Sequence, residues 1–149
     1  MMQPFLFGDT WIEVKDGNDT ARAIFDQHYS RYRYKDGRKP LLFVGPGEKM
    51  VLLTPDARAV FAWRRFIDAS GQDGVNCAIF RNDGAGRSSD LIRAADALAD
   101  ERWPGERHYT YVRPDKVSAN PGYCFKQAGW SFCGITKWNK LHILERRAA

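Results

Sequence analysis

Short blocks of apolar residues, separated by clusters of Gly, Pro, Asn and Asp, recur along this chain and predict mainly strands. The blocks that we predict to be strands are residues 11–14, 41–44, 50–54, 59–66, 75–80, 107–112, 131–137 and 141–145. The turn at 55–58 joins two of these strands as a hairpin. The sequence has no internal repeat and no low-complexity tract, so the pattern predicts a single domain over residues 1–149.

Three segments, 20–28, 91–103 and 123–128, instead carry apolar residues at helical spacing. Asn18 or Asp19 is the candidate cap of the first helix, and Ser88 or Ser89 that of the second. In the second helix the stripe expected to face the core consists of Leu91, Ala95, Leu98 and Arg102. The order of elements predicts a mixed α/β fold: a central, mostly antiparallel sheet with one strand–loop–helix–strand crossover and flanking helices.

The crossover contains a loop, residues 81–90, that reads Arg-Asn-Asp-Gly-Ala-Gly-Arg-Ser-Ser-Asp. Gly84 and Gly86 permit a sharp turn, and the free backbone N–H groups at the start of the next helix favour a phosphate. Arg81 and Arg87 flank the turn and can add charge-assisted hydrogen bonds. Neither GxGxxG nor a P-loop is present. The residues alone therefore leave two readings, a pyrophosphate-binding loop or a plain connection.

The same loop, continued through Leu91 and Ile92, resembles the acyl-CoA loop and following helix of GNAT acyltransferases. Residues 120–130, Asn-Pro-Gly-Tyr-Cys-Phe-Lys-Gln-Ala-Gly-Trp, resemble the helix and Gly-aromatic ending found downstream in that family. The resemblance covers residues 75–145 and implies a GNAT-like fold that uses acetyl-CoA or a related acyl-CoA. It implies cofactor contacts at Arg81, Asn82, Gly84, Gly86, Arg87, Ser88, Ser89 and Asn120.

The resemblance also suggests roles for two residues near the third helix. Tyr123 lies where the family often places a general acid that reprotonates the CoA thiolate, although a core tyrosine is the alternative. Asn120 would contact the pantetheine arm or cap the helix. Ser88 and Ser89 have the same two alternatives, a phosphate contact or a helix cap.

A narrower resemblance involves the segment His28-Tyr29-Ser30, the basic stretch after it, and the later Arg-Asn and Ser-Ser pairs. Together these look like the Mom-type proteins of bacteriophages, which are GNAT-fold enzymes that modify adenine in DNA. The resemblance favours catalytic roles for both residues: His28 as a base or a metal ligand, and Tyr29 as an acid or as the residue that positions a base. The alternative is that both residues pack at the end of the first helix.

The basic stretch is the best candidate for nucleic-acid contact. It includes Arg31, Tyr32, Arg33, Tyr34 and Lys35, whose cations can meet phosphates and whose tyrosines can stack on an unpaired base. A solvated surface loop is the alternative. The formal net charge of +5 and the sequence pI of about 9.2 favour an anionic partner, and DNA is the one that we predict.

Other polar and aromatic residues have less specific patterns. Tyr109 and Tyr111 share one face of a strand, where they line a cleft or pack against a helix. His108 lies on the opposite face and is expected to be exposed to solvent. We interpret His142 as structural and Cys124 as a buried thiol.

The sequence also argues against several classes of site and location. No apolar run approaches the ~20 residues that cross a bilayer, and the N-terminus does not resemble a signal peptide, so no membrane partner is predicted. The three cysteines form no CxxC pair, and the histidines have no metal-ligand spacing. We therefore predict free thiols, no metal site, and a cytoplasmic location in a bacterium or phage-infected host.

Three functions, two enzymatic and one non-catalytic, fit these observations. The first is an acyl-CoA-dependent transferase that modifies a nucleobase in DNA. The second is an N-acetyltransferase that acts on an amine of a small molecule or protein. The third is a non-catalytic nucleic-acid-binding protein that retains the fold. The sequence does not indicate the acyl group or the oligomeric state.

Overall fold

The computed structural model describes residues 10–25, 44, 47–66, 71–114 and 120–148. Its strands are β1 (Ile12–Val14), β2 (Glu48–Leu53), β3 (Ala59–Arg65), β4 (Val75–Asn82), β5 (His108–Val112), β6 (Ser131–Ile135) and β7 (His142–Arg146). Its helices are α1 (Asp19–Phe25), α2 (Ser88–Arg102) and α3 (Tyr123–Gln127). The predicted strand at 41–44 and the end of the first predicted helix fall largely outside the described residues.

The seven strands form one sheet in the order β1-β2-β3-β4-β5-β7-β6. Every neighbouring pair is antiparallel except β4 and β5, which are parallel because α2 crosses over between them. The prediction of a mixed α/β fold with a mostly antiparallel sheet is therefore confirmed.

The two parallel strands pair over a short distance only. Val75, Asn76 and Cys77 are in register with residues 108–110, and among the described residues the pairing stops there, although β4 continues to Asn82. Opposite β3, β4 also has a bulge, since Ala62 pairs with Ile79 and Trp63 with Cys77, which leaves Ala78 between them. β4 thus leaves β5 soon after the two strands meet.

A glycine fixes the point at which they meet. The Val75 N–H donates to the Arg107 carbonyl over 2.7 Å. Gly74 has a φ of +115°, and a Cβ on it would lie 2.1 Å from that same carbonyl oxygen. Only glycine can therefore allow this approach.

The main core lies between the sheet and α2. Trp11 and Trp63 are almost fully buried, and their indole N–H groups donate to the Leu91 and Ala95 carbonyls over 2.9 and 3.1 Å. Leu91, Ala95 and Leu98 of the predicted stripe face this core, as expected. Arg102, the fourth residue of the stripe, does not: it is exposed and donates a hydrogen bond to Glu13. A long cation at the last turn reaches solvent there and meets a carboxylate.

The ends of the helices test the predicted caps. In α1 the Asn18 side chain accepts a hydrogen bond from the Ala21 N–H over 3.0 Å, as predicted. In α2 the cap prediction is wrong: Arg87 occupies the N-cap position, and Ser88 and Ser89 are the first helical residues. α3 ends before Gly129, which has a φ of +97° as a C-terminal glycine requires.

No helix in the described ranges has both the length and the apolar character needed to span a bilayer.

Candidate functional site

Several loops converge at one end of the sheet, which we call the open end: the end at which β4 and β5 finish and diverge. The register places the β2–β3 turn there, because Ala59 pairs with Asn82. The Asp83 N–H donates to the Arg58 carbonyl over 2.7 Å and ties that turn to the loop after β4. α2 and α3 also begin at this end, so that loop, turn and helix N-termini surround the gap between the strands.

The Asn82 side chain folds the loop after β4. Its carbonyl oxygen accepts hydrogen bonds from the Gly84 and Ala85 N–H groups over 3.1 and 2.8 Å. Its amide nitrogen donates to the Gly86 carbonyl and the Ser88 hydroxyl over 2.7 and 3.0 Å. Asn82 therefore acts by holding the loop, and its own polar atoms are already bonded within it.

The loop requires both of its glycines. Gly84 and Gly86 have φ angles of +102° and +131°, in the left-handed region that disfavours other residues. α2 follows at once, and no side chain caps its N-terminus. Its first-turn backbone N–H groups and its dipole are thus presented to whatever lies against the loop, and both favour an anion.

Four arginines lie beside the loop, and they differ in how they are engaged. Arg58, in the β2–β3 turn, has its Nη1 3.7 Å from where a Cβ on Gly84 would lie, but it lines neither of the two clefts that flank Arg87. Arg81 pairs with Asp83, with the closest atoms 3.1 Å apart. Arg93 pairs with Asp90 at 3.2 Å and also donates to the Gln127 carbonyl. Arg87 is exposed and has no ion pair to any residue in the part of the chain that the structure describes. Arg87 is therefore the cation best placed to meet a ligand.

Two clefts flank Arg87. The first, of about 590 Å³, lies between the β2–β3 turn and the first turns of α2. The second, of about 390 Å³, lies between α2 and α3. Its lining consists of Arg87, Ser88, Ser89, Tyr123, Cys124 and Gln127. The structure thus brings four residues predicted from separate sequence motifs, Arg87, Ser88, Ser89 and Tyr123, into one cleft.

Tyr123 reaches this cleft because of the residue before it. Gly122 has a φ of +75°, and a Cβ on it would lie 2.0 Å from Leu144 Cδ1 in the core. The chain can therefore pass close to the sheet and then present Tyr123, which is 54% exposed, as the first residue of α3. Phe125 anchors α3 against Phe80 and Trp130, with ring centroids 6.0 and 4.8 Å apart.

Asn120 and Cys124 border the same helix. Asn120 does not cap α3, because Gly122 holds the N-cap position and no side chain bonds there. Its side-chain carbonyl instead accepts a hydrogen bond from Lys126 Nζ over 2.8 Å. Burial raises the pKa of the Cys124 thiol, which keeps it protonated and a weak nucleophile. Cys124 was interpreted as a buried thiol; the structure finds it only partly buried, at the lining of this cleft.

The predicted catalytic pair and nucleic-acid segment lie outside the described residues. They are His28, Tyr29, Arg31, Tyr32, Arg33 and Lys35. In the described part of the chain no group of three or more His, Cys, Asp or Glu side chains could hold a metal ion.

Sequence reasoning missed a polar cluster at the other end of the β4–β5 pair, which we call the closed end. His108 was expected to be exposed, which is wrong: it is fully buried, and its Nδ1 lies 2.7 Å from Asp96 Oδ1. Trp130 Nε1 donates to the other Asp96 oxygen over 2.9 Å. Tyr109 is also fully buried, as the packing alternative required. The signal available in the sequence was Asp96 itself, an acid within an otherwise apolar helix face.

No protein-family model matches this chain, and no curated protein matches its sequence.

Proposed function

We propose that this protein is a GNAT-like transferase that uses acetyl-CoA or a related acyl-CoA. The observation that carries the proposal is the divergence of β4 and β5 after three residues, directly beside a glycine loop and an uncapped helix N-terminus. An extended thioester arm needs a gap between strands with free backbone groups, and its pyrophosphate needs N–H donors and a cation at the mouth of that gap. At the open end β4 and β5 part after three residue pairs, beside the glycine loop, the N-terminus of α2 and the exposed Arg87.

Each residue of the open end has a distinct role in this proposal. The first-turn N–H groups of α2, with Arg87, bind the pyrophosphate, and Asn82 keeps the loop in the shape that exposes those groups. Ser88 and Ser89 lie in the same first turn and line the cleft toward α3. The bulge at Ala78 directly follows the last residue of β4 that pairs with β5, and we propose that the β4 backbone beyond it orients the thioester carbonyl.

In the chemical step an acceptor nitrogen attacks the thioester carbon, the carbon–sulfur bond breaks, and the sulfur leaves as a thiolate. Tyr123 would donate its phenolic proton to that thiolate, and the acceptor nitrogen would lose its proton to a base, for which His28 is our proposal. The exposed hydroxyl of Tyr123 in the cleft with Ser88 and Ser89 supports its part.

We further propose that the acceptor is a nucleobase in DNA, as in the Mom-type proteins that the sequence resembles. The net charge of +5 and the segment from Arg31 to Lys35 support an anionic polymer as the substrate. A base in duplex DNA would have to be flipped out to reach the cleft.

The test of cofactor binding is calorimetry with acetyl-CoA on the wild type and on Arg87→Ala. We expect the variant to bind about 10–100-fold more weakly, because it loses a charge-assisted contact to the pyrophosphate. Arg147→Ala is the matched control, since Arg147 is exposed at the closed end and carries the same charge. Equal weakening in both variants would show that only the net charge matters. If the wild type does not bind acetyl-CoA, the proposed transferase function is refuted.

The reaction is tested by assaying thiol release with Tyr123→Phe and by mass spectrometry of nucleosides from DNA treated with the protein. Loss of the proton donor should lower kcat about 100-fold and leave acetyl-CoA affinity unchanged. Unmodified nucleosides together with turnover on small amines would assign the enzyme to amine acetylation instead.

A further inference from the structure

The turn between β6 and β7 carries the most exposed large hydrophobic side chain described in this protein. Trp138 is 83% exposed, and Lys137, Asn139 and Lys140 around it are exposed as well. We call residues 137–140 the Trp138 tip. Trp138 offers an aromatic face and a polar N–H edge to solvent at the turn of the hairpin, which are the two features by which tryptophan contacts partners.

The hairpin is built to hold this tip in place. The Thr136 N–H donates to the Leu141 carbonyl over 2.8 Å, and the Leu141 N–H donates to the Thr136 hydroxyl over 2.8 Å. Lys140 adopts a φ of +55°, which is unfavourable for a residue with a side chain. The tip therefore keeps a defined turn at the expense of some backbone strain.

The charge around the tip is of one sign. From Ser131 to Ile143 the sequence contains no Asp or Glu, whereas Lys137 and Lys140 flank the tryptophan. Lys137 Nζ lies 5.3 Å from the centroid of the Trp138 ring. Proteins that bind single strands combine cations for the phosphates with aromatic side chains on which the bases stack.

The strand registers place the tip at the open end of the sheet. Val112, the last residue of β5, pairs with His142 of β7, and His142 also pairs with Ile135, the last residue of β6. The β6–β7 turn thus projects from the same end as the glycine loop and α3. A polymer bound at the tip would lie on the side of the molecule where the proposed chemistry takes place.

We propose that the Trp138 tip binds single-stranded or locally unpaired nucleic acid, with one base stacked on Trp138 and phosphates at Lys137 and Lys140. That the bound nucleic acid is also the acceptor of the acyl group rests on the proposed function. Binding at the tip itself follows from exposure, charge and position.

A second copy of the chain is the other occupant to consider, because β6 is an edge strand on which Phe132 and Ile135 are also exposed. A twofold contact through the tip would place Lys137 and Lys140 against the same two lysines. That juxtaposition is repulsive, whereas a phosphate chain neutralises both charges. Charge therefore favours nucleic acid.

The experiment is fluorescence anisotropy with a labelled single-stranded oligonucleotide, at several salt concentrations. Trp138→Ala should weaken binding about tenfold or more, and Trp138→Phe should recover most of it, because loss of one base stack has an effect of that size. Lys137→Ala should reduce the slope of log affinity against log salt by about 0.7. Ile135→Ala is the matched control, since Ile135 is exposed on the same hairpin and cannot stack.

Several outcomes overturn the inference. They are no binding of the oligonucleotide by the wild type, equal affinity in Trp138→Ala and the wild type, or conversion of a dimer to a monomer by Trp138→Ala in analytical ultracentrifugation. Acetyl-CoA binding, measured on the same variants, separates this proposal from the transferase. If the wild type binds acetyl-CoA but not the oligonucleotide, the nucleic-acid site at the Trp138 tip is refuted and the transferase is not. If it binds the oligonucleotide but not acetyl-CoA, the transferase is refuted and the site at the tip is not.

Discussion

The two ends of the β4–β5 pair differ in how their polar groups are used. At the closed end Asp96 lies against His108 and Trp130, while Arg146 makes two bonds to Asp100, of 2.8 and 3.1 Å. At the open end the strands separate, and the loop after β4 is held mainly by one side chain, that of Asn82. Side-chain bonds that join several elements are concentrated at the end that we do not assign to function.

The difference explains how two neighbouring strands of one sheet can stay apart at one end while the fold remains stable. The contacts of Asp96 with His108 and Trp130, and of Asp100 with Arg146, join α2 to β5, to the residue before β6 and to β7. These elements are therefore held together without further pairing of β4 and β5. His108 Nε2 lies 3.2 Å from Asp100 Oδ1, although the pair lacks hydrogen-bond geometry. We therefore take Asp96 as the partner of His108, because that contact is shorter, at 2.7 Å, and has hydrogen-bond geometry. Three substitutions are expected to affect the two ends differently.

The largest effect is expected at the closed end from Asp96→Ala. The change leaves His108, Trp130 and Arg146 without the buried carboxylate between them, so the free energy of unfolding should fall by about 3–5 kcal/mol. Urea denaturation measures it. Asp100→Ala is the control: that side chain is 38% exposed, and its loss should lower stability by about 1 kcal/mol. Equal losses in the two variants would contradict a specific role for Asp96.

An intermediate effect, with a different readout, is expected at the open end from Asn82→Ala. The loop loses four hydrogen bonds of one side chain, so acetyl-CoA binding should weaken about tenfold, or about 1.4 kcal/mol, while stability falls by about 1 kcal/mol. Calorimetry and urea denaturation measure the two effects. Asp83→Ala, which removes only the exposed ion pair with Arg81, should leave both nearly unchanged. Unaltered affinity in Asn82→Ala would argue against the loop as the cofactor site.

The smallest effect is a pH dependence at the closed end. The hydrogen bond from Arg107 holds the pKa of Glu145 below its ordinary value, against the opposing effect of burial. A lowered pKa stabilises the fold above the ordinary glutamate range, and this stabilisation disappears as the pH falls through the folded-state pKa. Glu145→Gln should therefore be less stable than the wild type by under about 1 kcal/mol at pH 7 and equal to it in acid. Thermal unfolding across that pH range measures the difference, and a pH-independent gap would contradict the electrostatic origin.

The sequence predicts the order of elements well because the apolar blocks and the turn residues agree with each other. The helix at 91–103, the hairpin around 55–58 and the end of α3 at Gly129 all correspond to elements of the structure. Asn18 as a cap follows from a local hydrogen bond, which sequence spacing specifies. The convergence of Ser88, Ser89 and Tyr123 in one cleft had been implied only by a resemblance.

The failures share a physical cause, which is that the decisive contacts are made between side chains of different elements or across a folded loop. His108 was expected in solvent because strand alternation places it opposite Tyr109, yet both faces of β5 are covered, and its partners are on α2 and β7. Ser88 seemed a cap because of its residue type, but its hydroxyl is taken by Asn82. Alternation and residue type indicate local geometry, and neither one identifies which tertiary contacts are made.

The three-residue contact between β4 and β5 also has a consequence for how the chain folds. Short connections link β3 to β2 and β6 to β7, so those pairings close small loops. The contact that unites the two sides of the sheet joins Val75 to His108, across the whole of α2. Contacts between distant residues form slowly relative to local ones. We therefore expect the two sheet halves to meet at Gly74 only after the β2–β3 and β6–β7 hairpins have formed, and the open end takes its final form at that step.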